Sequence, residues 1–308
     1  MTTSDESLKE TIRAETSKPV PAAISAATAA VRGRVGNSVA AVLFYGSCRR
    51  DGHANGVVDF YVLVDSYRAL HEHRFQAWLN ELVPPNVYYL ELLFEDCPIR
   101  VKYSIMSLPQ FLQSTARGFD PTIWVRFCQP CSIVYAREGS TAVVVGALAN
   151  AARIMIAETA PLMRENFTSK EFWLSAFHET YKTEIRVERS NRAAQLYEND
   201  AVYYDRIAQN VLEESGDRLP LGRFTAATPP SRRRIARRWR VRRFVGKSLT
   251  VLRFAKAAFT FDGGIDYVLW KIERHAGVRL PITPWQRRHP LLAAPLLFWR
   301  YYRLGVFG

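Results

Sequence analysis

The chain has 308 residues, 48% of them hydrophobic, and a formal net charge of +13. That length and apolar content allow one large domain or two ordinary ones with a buried core. The positive charge indicates anionic partners such as nucleotide phosphates, nucleic acid or acidic lipid, and four scattered cysteines exclude a disulfide scaffold and favour a reducing compartment.

The first half of the chain predicts a short lead followed by helix and strand. Residues 1–20 are polar, carry no apolar segment typical of a signal peptide, and are expected to be a partly disordered lead. The alanine-rich residues 21–34 predict a helix. Val39–Tyr45 is an apolar run stopped by Gly46, and Val57–Val64 is rich in β-branched and aromatic residues. Both runs predict buried strands with a loop between them.

The next segments complete a mixed sheet. Residues 67–82 have a helical pattern, while residues 87–94 and 100–106 flank a short polar turn and predict a hairpin. A further short strand is expected around residues 132–135. Helices and strands in this order predict an α+β fold for residues 21–140, with a mixed sheet packed on helices.

The second half changes character. Residues 141–220 have a helical pattern and predict a helical second domain. Residues 221–308 read as a basic linker and C-terminal helices, with eight arginines between positions 232 and 243. No apolar run reaches 18 residues, so no transmembrane helix is expected and any membrane contact should be peripheral.

A candidate phosphate site lies between the first two predicted strands. Gly46 lets the backbone approach a triphosphate, and Ser47 adds a hydroxyl and an N–H group to an anion cradle. Asp59, near the start of the second strand, could hold Mg²⁺, which bridges phosphates and neutralises charge as pyrophosphate leaves. A common Gly-Ser turn beside a strand-edge acid is the alternative interpretation.

Sites of this kind often carry two acids on one strand face. Tyr61 stands where the second acid is usual, and Asp65 lies about 20 Å along a straight strand from Asp59. Glu91, on the next predicted strand, could supply the missing carboxylate or could be an exposed strand acid. Cys128 and Cys131 have the spacing of a metal pair but lack two further ligands in register, so zinc is not expected.

The order of several short motifs resembles the mitochondrial-type phosphatidate cytidylyltransferases of the nucleotidyltransferase superfamily. The motifs are YGS at 45–47, VDFYVLVD at 58–65, VYY at 87–89, VKYSIMS at 101–107, Arg126 with Pro130, and KAAFT at 256–260. Cys48 and Leu90 depart from the glycine and asparagine that the family carries there. The resemblance implies that CTP and phosphatidic acid are converted to CDP-diacylglycerol and pyrophosphate with Mg²⁺.

Two basic residues are further candidates for phosphate contacts. Lys102 sits in mid-strand and matches the family's Lys-Tyr, so it is expected to contact the triphosphate. Arg126 could fork onto a phosphate or could pair with an acid structurally. The predicted catalytic residues are therefore Asp59 and Lys102, with Gly46 and Ser47 as the phosphate cradle.

The basic C-terminal region is interpreted as a membrane contact. Residues 290–299 form an apolar run too short to span a bilayer but suited to an interfacial anchor. Arg233, Arg237, Arg240, Lys256 and Trp299 are the expected lipid contacts. Nucleic-acid binding by the same arginines is the alternative, although no DNA partner is expected.

These expectations place the protein in the cytoplasm, peripherally attached to the inner face of a membrane, in a bacterial cell. Two rival functions stay open: nucleotidyl transfer to a small molecule, protein or RNA, and nucleotide or membrane binding without catalysis. The sequence predicts no oligomeric state.

Overall fold

The computed structural model describes residues 3–54, 56–68, 70, 78, 80–163, 166–183, 192–214, 218–219, 223–225, 229–260, 282–288 and 299–300. The helices are α1 (Thr3–Thr16), α2 (Ala22–Val35), α3 (Ser47–Asp51), α4 (Leu108–Arg117), α5 (Thr122–Phe127), α6 (Ser140–Thr159), α7 (Ser169–Tyr181), α8 (Arg192–Asn199), α9 (Ala201–Glu214), α10 (Pro229–Thr260) and α11 (Pro284–Arg288). The strands are β1 (Val39–Tyr45), β2 (Val57–Val64), β3 (Asn86–Phe94), β4 (Cys97–Ser107), β5 (Ser132–Ala136), β6 (Phe167–Thr168), β7 (Arg218–Leu219) and β8 (Arg223–Phe224).

A mixed five-stranded sheet organises the first half of the chain. Its order is β3-β4-β2-β1-β5, with β2 and β4 parallel and the other neighbours antiparallel. The predicted hairpin is β3–β4, and its turn residues Glu95 and Asp96 both have positive φ, at 47° and 59°. Two residues with positive φ match the twist of a tight hairpin. The predicted α+β class with a mixed sheet is confirmed.

The two faces of the sheet pack against different helices. Val58, Phe60 and Val62 point to α2 and form one core with Ile24 and Val31. Residues that alternate with these along the strands, such as Tyr61, Leu63 and Leu43, belong to the other and larger core. That core continues through α4, α5, α6, α7 and α9.

The expectation that residues 1–20 form a partly disordered lead is wrong. Thr3–Thr16 is helical, and Leu8 and Ile12 are buried in the larger core. Asp5 on the same helix pairs with Arg153 of α6, with 2.6 Å between Asp5 Oδ1 and Arg153 Nη2. The polar residues that suggested disorder occupy the outer face of an amphipathic helix, and only a few apolar residues form its buried face.

The expected boundary between residues 140 and 141 does not correspond to a boundary in the core. Val144, Leu148 and Ala152 of α6 share one apolar core with Leu43 and Tyr61 of the sheet. Residues 140–162 include the one helix in the described part of the chain with the length and composition of a membrane span, at a mean hydropathy of 1.6. Its apolar side chains are largely buried within the protein, as expected for a core helix.

Helix α10 carries the arginine-rich segment and is attached to the rest of the molecule by buried polar contacts. Trp239 Nε1 donates a hydrogen bond of 2.7 Å to the carbonyl of Glu158 on α6. Arg253 Nη2 lies 2.6 Å from Asp120 Oδ2, in the loop before α5. The expected helix at residues 67–82 lies mostly outside the described residues; 80–82 are helical.

Candidate functional site

The predicted site lies at one end of the five-stranded sheet. Strand β1 ends there while β2, β4 and β5 begin, so the loops at this end approach one another. Tyr45, Asp59, Lys102 and Tyr89 occupy paired positions on four neighbouring strands. Side chains at paired positions share a face of the sheet, and this one is the face of the larger core.

Asp59 and Lys102 form an ion pair in this row. Lys102 Nζ lies 2.6 Å from Asp59 Oδ1, and the two side chains are 28% and 19% exposed. The carboxylate is thus largely withdrawn from water but faces a cation that can move on its flexible stem. The structure brings together the two residues predicted to be catalytic.

Gly46 is required where β1 turns away from Asp59. Its φ is +89°, and a Cβ at this position would lie 2.8 Å from Asp59 Oδ2. Only glycine combines this backbone conformation with such close approach. The Gly46 backbone therefore lies directly against the predicted metal ligand.

Ser47 begins the short helix α3, which lies where the sequence predicted a loop between the first two strands. Ser47 is exposed and Arg50 is half-buried, and both line the cleft next to Gly46. Between them, Cys48 is buried, and its Sγ donates to the carbonyl of Val57 at 3.2 Å. The turn therefore places a hydroxyl and a guanidinium on the same side of the sheet end.

Arg126 on α5 forms the next part of the cleft wall. Its guanidinium carbon lies 5.5 Å from the centre of the Tyr45 ring, a cation–π distance. Burial raises the pKa of Tyr45, although Arg126 opposes the shift. The phenol is consequently neutral at physiological pH, and Arg126 contributes a positive charge to the lining that also contains Asp59 and Lys102.

The opposite wall comes from the helical half of the chain. Tyr181 ends α7, Arg192 begins α8, Asp200 separates α8 from α9, and Tyr204 lies in α9. Burial raises the pKa of the Asp200 carboxyl, while Arg49 lowers it. Asp200 Oδ2 is buried and accepts no hydrogen bond from the described residues.

The resulting cleft has a volume of about 190 Å³ and a cationic lining. Among the lining residues that the structure describes, Arg50, Lys102, Arg126 and Arg192 are basic, whereas Asp59 and Asp200 are acidic. Excess positive charge in a concave site attracts polyanions such as a nucleoside triphosphate. The sheet thus supplies the predicted residues, and the helices close the site from the other side.

The structure does not bring Glu91 to Asp59, and its prediction as a metal ligand is wrong in this geometry. Glu91 lies on β3, two strands and about 10 Å from β2. Its Oε1 accepts a hydrogen bond of 2.5 Å from Tyr89 and lies 3.2 Å from Arg100 Nε. Glu91 is thus occupied by neighbours on its own hairpin.

The other two positions of the two-acid pattern are also accounted for. Tyr61 is fully buried among Phe111 and Phe127, so the strand offers no second carboxylate there. Asp65, at the far end of β2, binds both terminal nitrogens of Arg137 at 2.6 and 2.9 Å. Asp59 is therefore the acid that β2 presents to the cleft.

Metal binding at this site would rely on few protein ligands. The residues that the structure describes contain no group of three or more metal-binding side chains. Mg²⁺ is commonly held by one or two carboxylates together with substrate phosphates. The Asp59 carboxylate, against which the Gly46 backbone packs, fits a Mg²⁺ ion that arrives with a nucleotide.

The predicted lipid contacts divide into two groups. Arg233, Arg237 and Arg240 are exposed on α10, and Trp299 is 53% exposed. Lys256 is buried, so its prediction as a lipid contact is wrong. Its Nζ lies 3.0 Å from the carbonyl of Pro85, 3.3 Å from Asn80 Oδ1, and also contacts the carbonyl of Val83.

Sequence reasoning missed several residues of the cleft. Arg50 follows the Gly-Ser turn by three positions and could have been found from that proximity. Arg192, Asp200 and Tyr204 lie more than 130 positions after Asp59 in the sequence. Their helical segments carry no motif for phosphate chemistry, so only the tertiary structure, which brings these residues to the same cleft as Asp59, reveals them.

Comparison with known proteins adds little to this geometry. No protein-family model matches the chain, and no significant match is found among curated proteins. One similar solved structure is a nucleotidyltransferase-like protein from Exiguobacterium sibiricum 255-15. It is 11% identical, with a TM-score of 0.26, and the likeness covers 92% of each chain. A likeness this distant does not identify an activity.

Proposed function

We propose that the protein is a magnesium-dependent nucleotidyltransferase that transfers the cytidylyl group of CTP to phosphatidic acid at an anionic membrane surface. The observation that carries the proposal is the Asp59–Lys102 ion pair in the lining of a cationic cleft. Gly46 and Ser47 border the same cleft, as expected of a triphosphate site. The choice of CTP and phosphatidic acid rests on the sequence resemblance.

The reaction asks the protein mainly for positioning and charge neutralisation. A phosphate oxygen of phosphatidic acid would attack the α-phosphorus of CTP, and the bond from that phosphorus to the bridging oxygen of the β-phosphate would break. Pyrophosphate would leave with the electron pair. The attacking phosphate is already ionised at neutral pH, so the transfer needs no strong general base.

The residues of the cleft have distinct roles in this proposal. Asp59 would hold Mg²⁺, and the ion would supply neutralisation of the phosphate charge. Lys102 neutralises Asp59 in the free protein and would contact the triphosphate as a point charge. Arg126, on the neighbouring wall, would bind phosphate oxygens through its planar fork.

The surface of α10 supports a lipid substrate. Arg233, Arg237 and Arg240 are exposed, and Phe244 among them is 75% exposed. Trp285 and Trp299 expose about half of their surface, at 54% and 53%. Basic residues near an anionic leaflet gain on the order of 1 kcal/mol each, and exposed aromatic rings favour the headgroup region.

The direct test is to incubate the purified protein with CTP labelled at the α-phosphate, Mg²⁺ and vesicles containing phosphatidic acid. We expect labelled CDP-diacylglycerol and unlabelled pyrophosphate, and little product when ATP or GTP replaces CTP. Vesicles of phosphatidylcholine alone are the control for the acceptor. Equal use of purine nucleotides, or transfer only to a non-lipid acceptor, would favour nucleotidyl transfer to another acceptor.

A protein that binds CTP but yields no product with any acceptor would support the non-catalytic alternative. Calorimetry with Mg·CTP separates that outcome from a complete failure of nucleotide binding. Omission of Mg²⁺ should abolish turnover because the triphosphate would keep its full charge.

A further inference from the structure

A buried ion pair joins the N-terminal helix to the turn that carries Ser47 and Arg50. Arg49 Nη2 on α3 contacts Glu15 Oε1 on α1, and both side chains are only 8% exposed. Glu15 Oε2 also lies 2.6 Å from Lys18 Nζ. Arg49 Nε donates to Ser132 Oγ at the start of β5, at 3.3 Å. The guanidinium therefore connects three elements that are distant in sequence.

Helix α3 needs such external support. It has five residues, which is too short for a helix to be stable by its own hydrogen bonds. Cys48 fixes one side of α3 through burial and its contact with Val57. Arg49, the next residue, fixes another side through Glu15. Ser47 and Arg50, which line the cleft, are therefore held by the residues between them.

Arg49 also acts on the opposite wall of the cleft. Its charge lowers the pKa of the Asp200 carboxyl, against the effect of burial. Without the guanidinium, the Glu15 and Asp200 carboxylates would repel each other, since the like charge of Glu15 raises the Asp200 pKa. Arg49, together with Lys18, is thus a common counter-charge for acids on α1 and at the junction of α8 and α9.

We propose that Glu15 and Arg49 are positioning residues of the site. They hold residues 46–51 in place for the triphosphate, so helix α1 contributes to nucleotide binding without lining the cleft. Neither side chain is among the residues that line the cleft, so both act through Ser47 and Arg50. The effect on nucleotide binding rests on the proposed function, whereas the support of α3 does not.

Cys48 provides a reporter that is independent of any nucleotide. It is 1% exposed in wild-type protein and lies between Ser47 and Arg49, so its thiol reacts only when this segment opens. We expect Glu15→Gln to increase the rate of Cys48 alkylation by iodoacetamide about tenfold, because local opening depends on local contacts. Labelling of the buried Cys128 should not change, and peptide mass spectrometry resolves the sites.

Glu6→Gln is the matched control on the same helix. Glu6 pairs with Arg13 at 2.6 Å, but both side chains are about half exposed, at 50% and 48%. Loss of an exposed pair has little effect. Cys48 labelling in Glu6→Gln should therefore equal that of the wild type.

The second measurement is Mg·CTP affinity by calorimetry. Small displacements of binding groups reduce ligand affinity, so we expect Glu15→Gln to weaken Mg·CTP binding about tenfold. The Mg·CTP affinity of Glu6→Gln should equal that of the wild type. Arg49→Lys should bind more tightly than Arg49→Met, because it keeps the charge. Far-UV circular dichroism confirms that each variant is folded.

Equal Cys48 labelling in wild type and Glu15→Gln would overturn the proposal. Faster labelling with unchanged Mg·CTP affinity would overturn the link between α1 and the site. If the wild type binds no nucleoside triphosphate, the proposed function fails, and the labelling rates alone then decide whether Glu15 and Arg49 support α3.

Discussion

The cleft and helix α10 are both rich in basic residues, but they use them differently. In the cleft, Lys102 pairs with Asp59, and both side chains keep some exposure to water. On the inner face of α10, Arg242 is 1% exposed and lies 2.5 Å from Glu158 Oε2, against the rings of Trp124 and Trp239. The Lys102 ammonium group is thus accessible to a ligand, whereas the Arg242 guanidinium is enclosed in the protein interior and serves only to stabilise the fold.

The arginine-rich segment contains both kinds of residue within a few positions. Arg240 is exposed and Arg242 is buried, because successive residues of a helix lie about 100° apart. Buried charges cost several kcal/mol in desolvation, so each must be paired. A run of arginines therefore does not by itself define a binding surface.

The largest effect is expected at Asp59. Asp59→Asn should reduce turnover about 1000-fold, or about 4 kcal/mol, because the metal loses its anionic ligand. Steady-state assays with CTP and phosphatidic acid vesicles measure this loss. Asp65→Asn is the control, since Asp65 pairs with Arg137 at the far end of β2. Activity of Asp59→Asn within tenfold of wild type would remove Asp59 from the site.

The next effect is on stability and concerns α10. Arg242→Met should lower the free energy of unfolding by about 3 kcal/mol, because Glu158 would lose its fully buried partner. Arg240→Met, two positions away and exposed, should change it by less than about 0.5 kcal/mol. Urea denaturation compares the two variants. Similar losses in both would contradict the division between buried and exposed arginines.

The exposed arginines should matter for membranes instead. Replacing Arg233, Arg237 and Arg240 with glutamine should weaken binding to vesicles containing phosphatidic acid about 30-fold, or about 2 kcal/mol. The same substitutions at the exposed Arg13, Arg34 and Arg117 are the control. Sedimentation at low and high salt is the measurement, since arginine attraction is screened by salt. Unchanged binding would leave the lipid substrate without support from α10.

The smallest effect is a pH dependence at Lys256. Burial, with a smaller contribution from Arg253, lowers its pKa from 10.5 to about 8. Between these values the unfolded chain binds a proton that the folded protein has released, so this residue makes stability rise with pH. Lys256→Met should lack this rise between about pH 8 and 10. If the melting temperatures of wild type and Lys256→Met change with pH in parallel, the carbonyls of Val83 and Pro85 keep the amine protonated.

The sheet and the core of the site could be predicted from sequence. Alternating or continuous apolar runs defined β1 to β5 within a few residues, because burial of one or both faces of a strand constrains its composition. Gly46, Ser47, Asp59 and Lys102 were found because they lie on or beside those strands. The structure places all four at one cleft.

Glu91 fails as a ligand of the same metal as Asp59 because β4 lies between β3 and β2 in the sheet. The other two errors share a physical reason: Lys256 and residues 1–20 were interpreted from polarity, which indicates exposure only on average. A polar side chain can instead be satisfied by a partner far away in sequence: Lys256 by the carbonyls of Val83 and Pro85, and Glu15 by Arg49.

The sequence by itself determined the class of the fold, the strands that build it and the residues that β1, β2 and β4 present at one end of the sheet. Local propensity and hydrophobic pattern depend on neighbours along the chain, so these features can be read from it. Tertiary structure alone decided that Asp200 and Arg192 close the cleft and that Arg242 is buried whereas Arg240 is exposed. Those outcomes depend on contacts between residues far apart in sequence, whose partners no local pattern specifies.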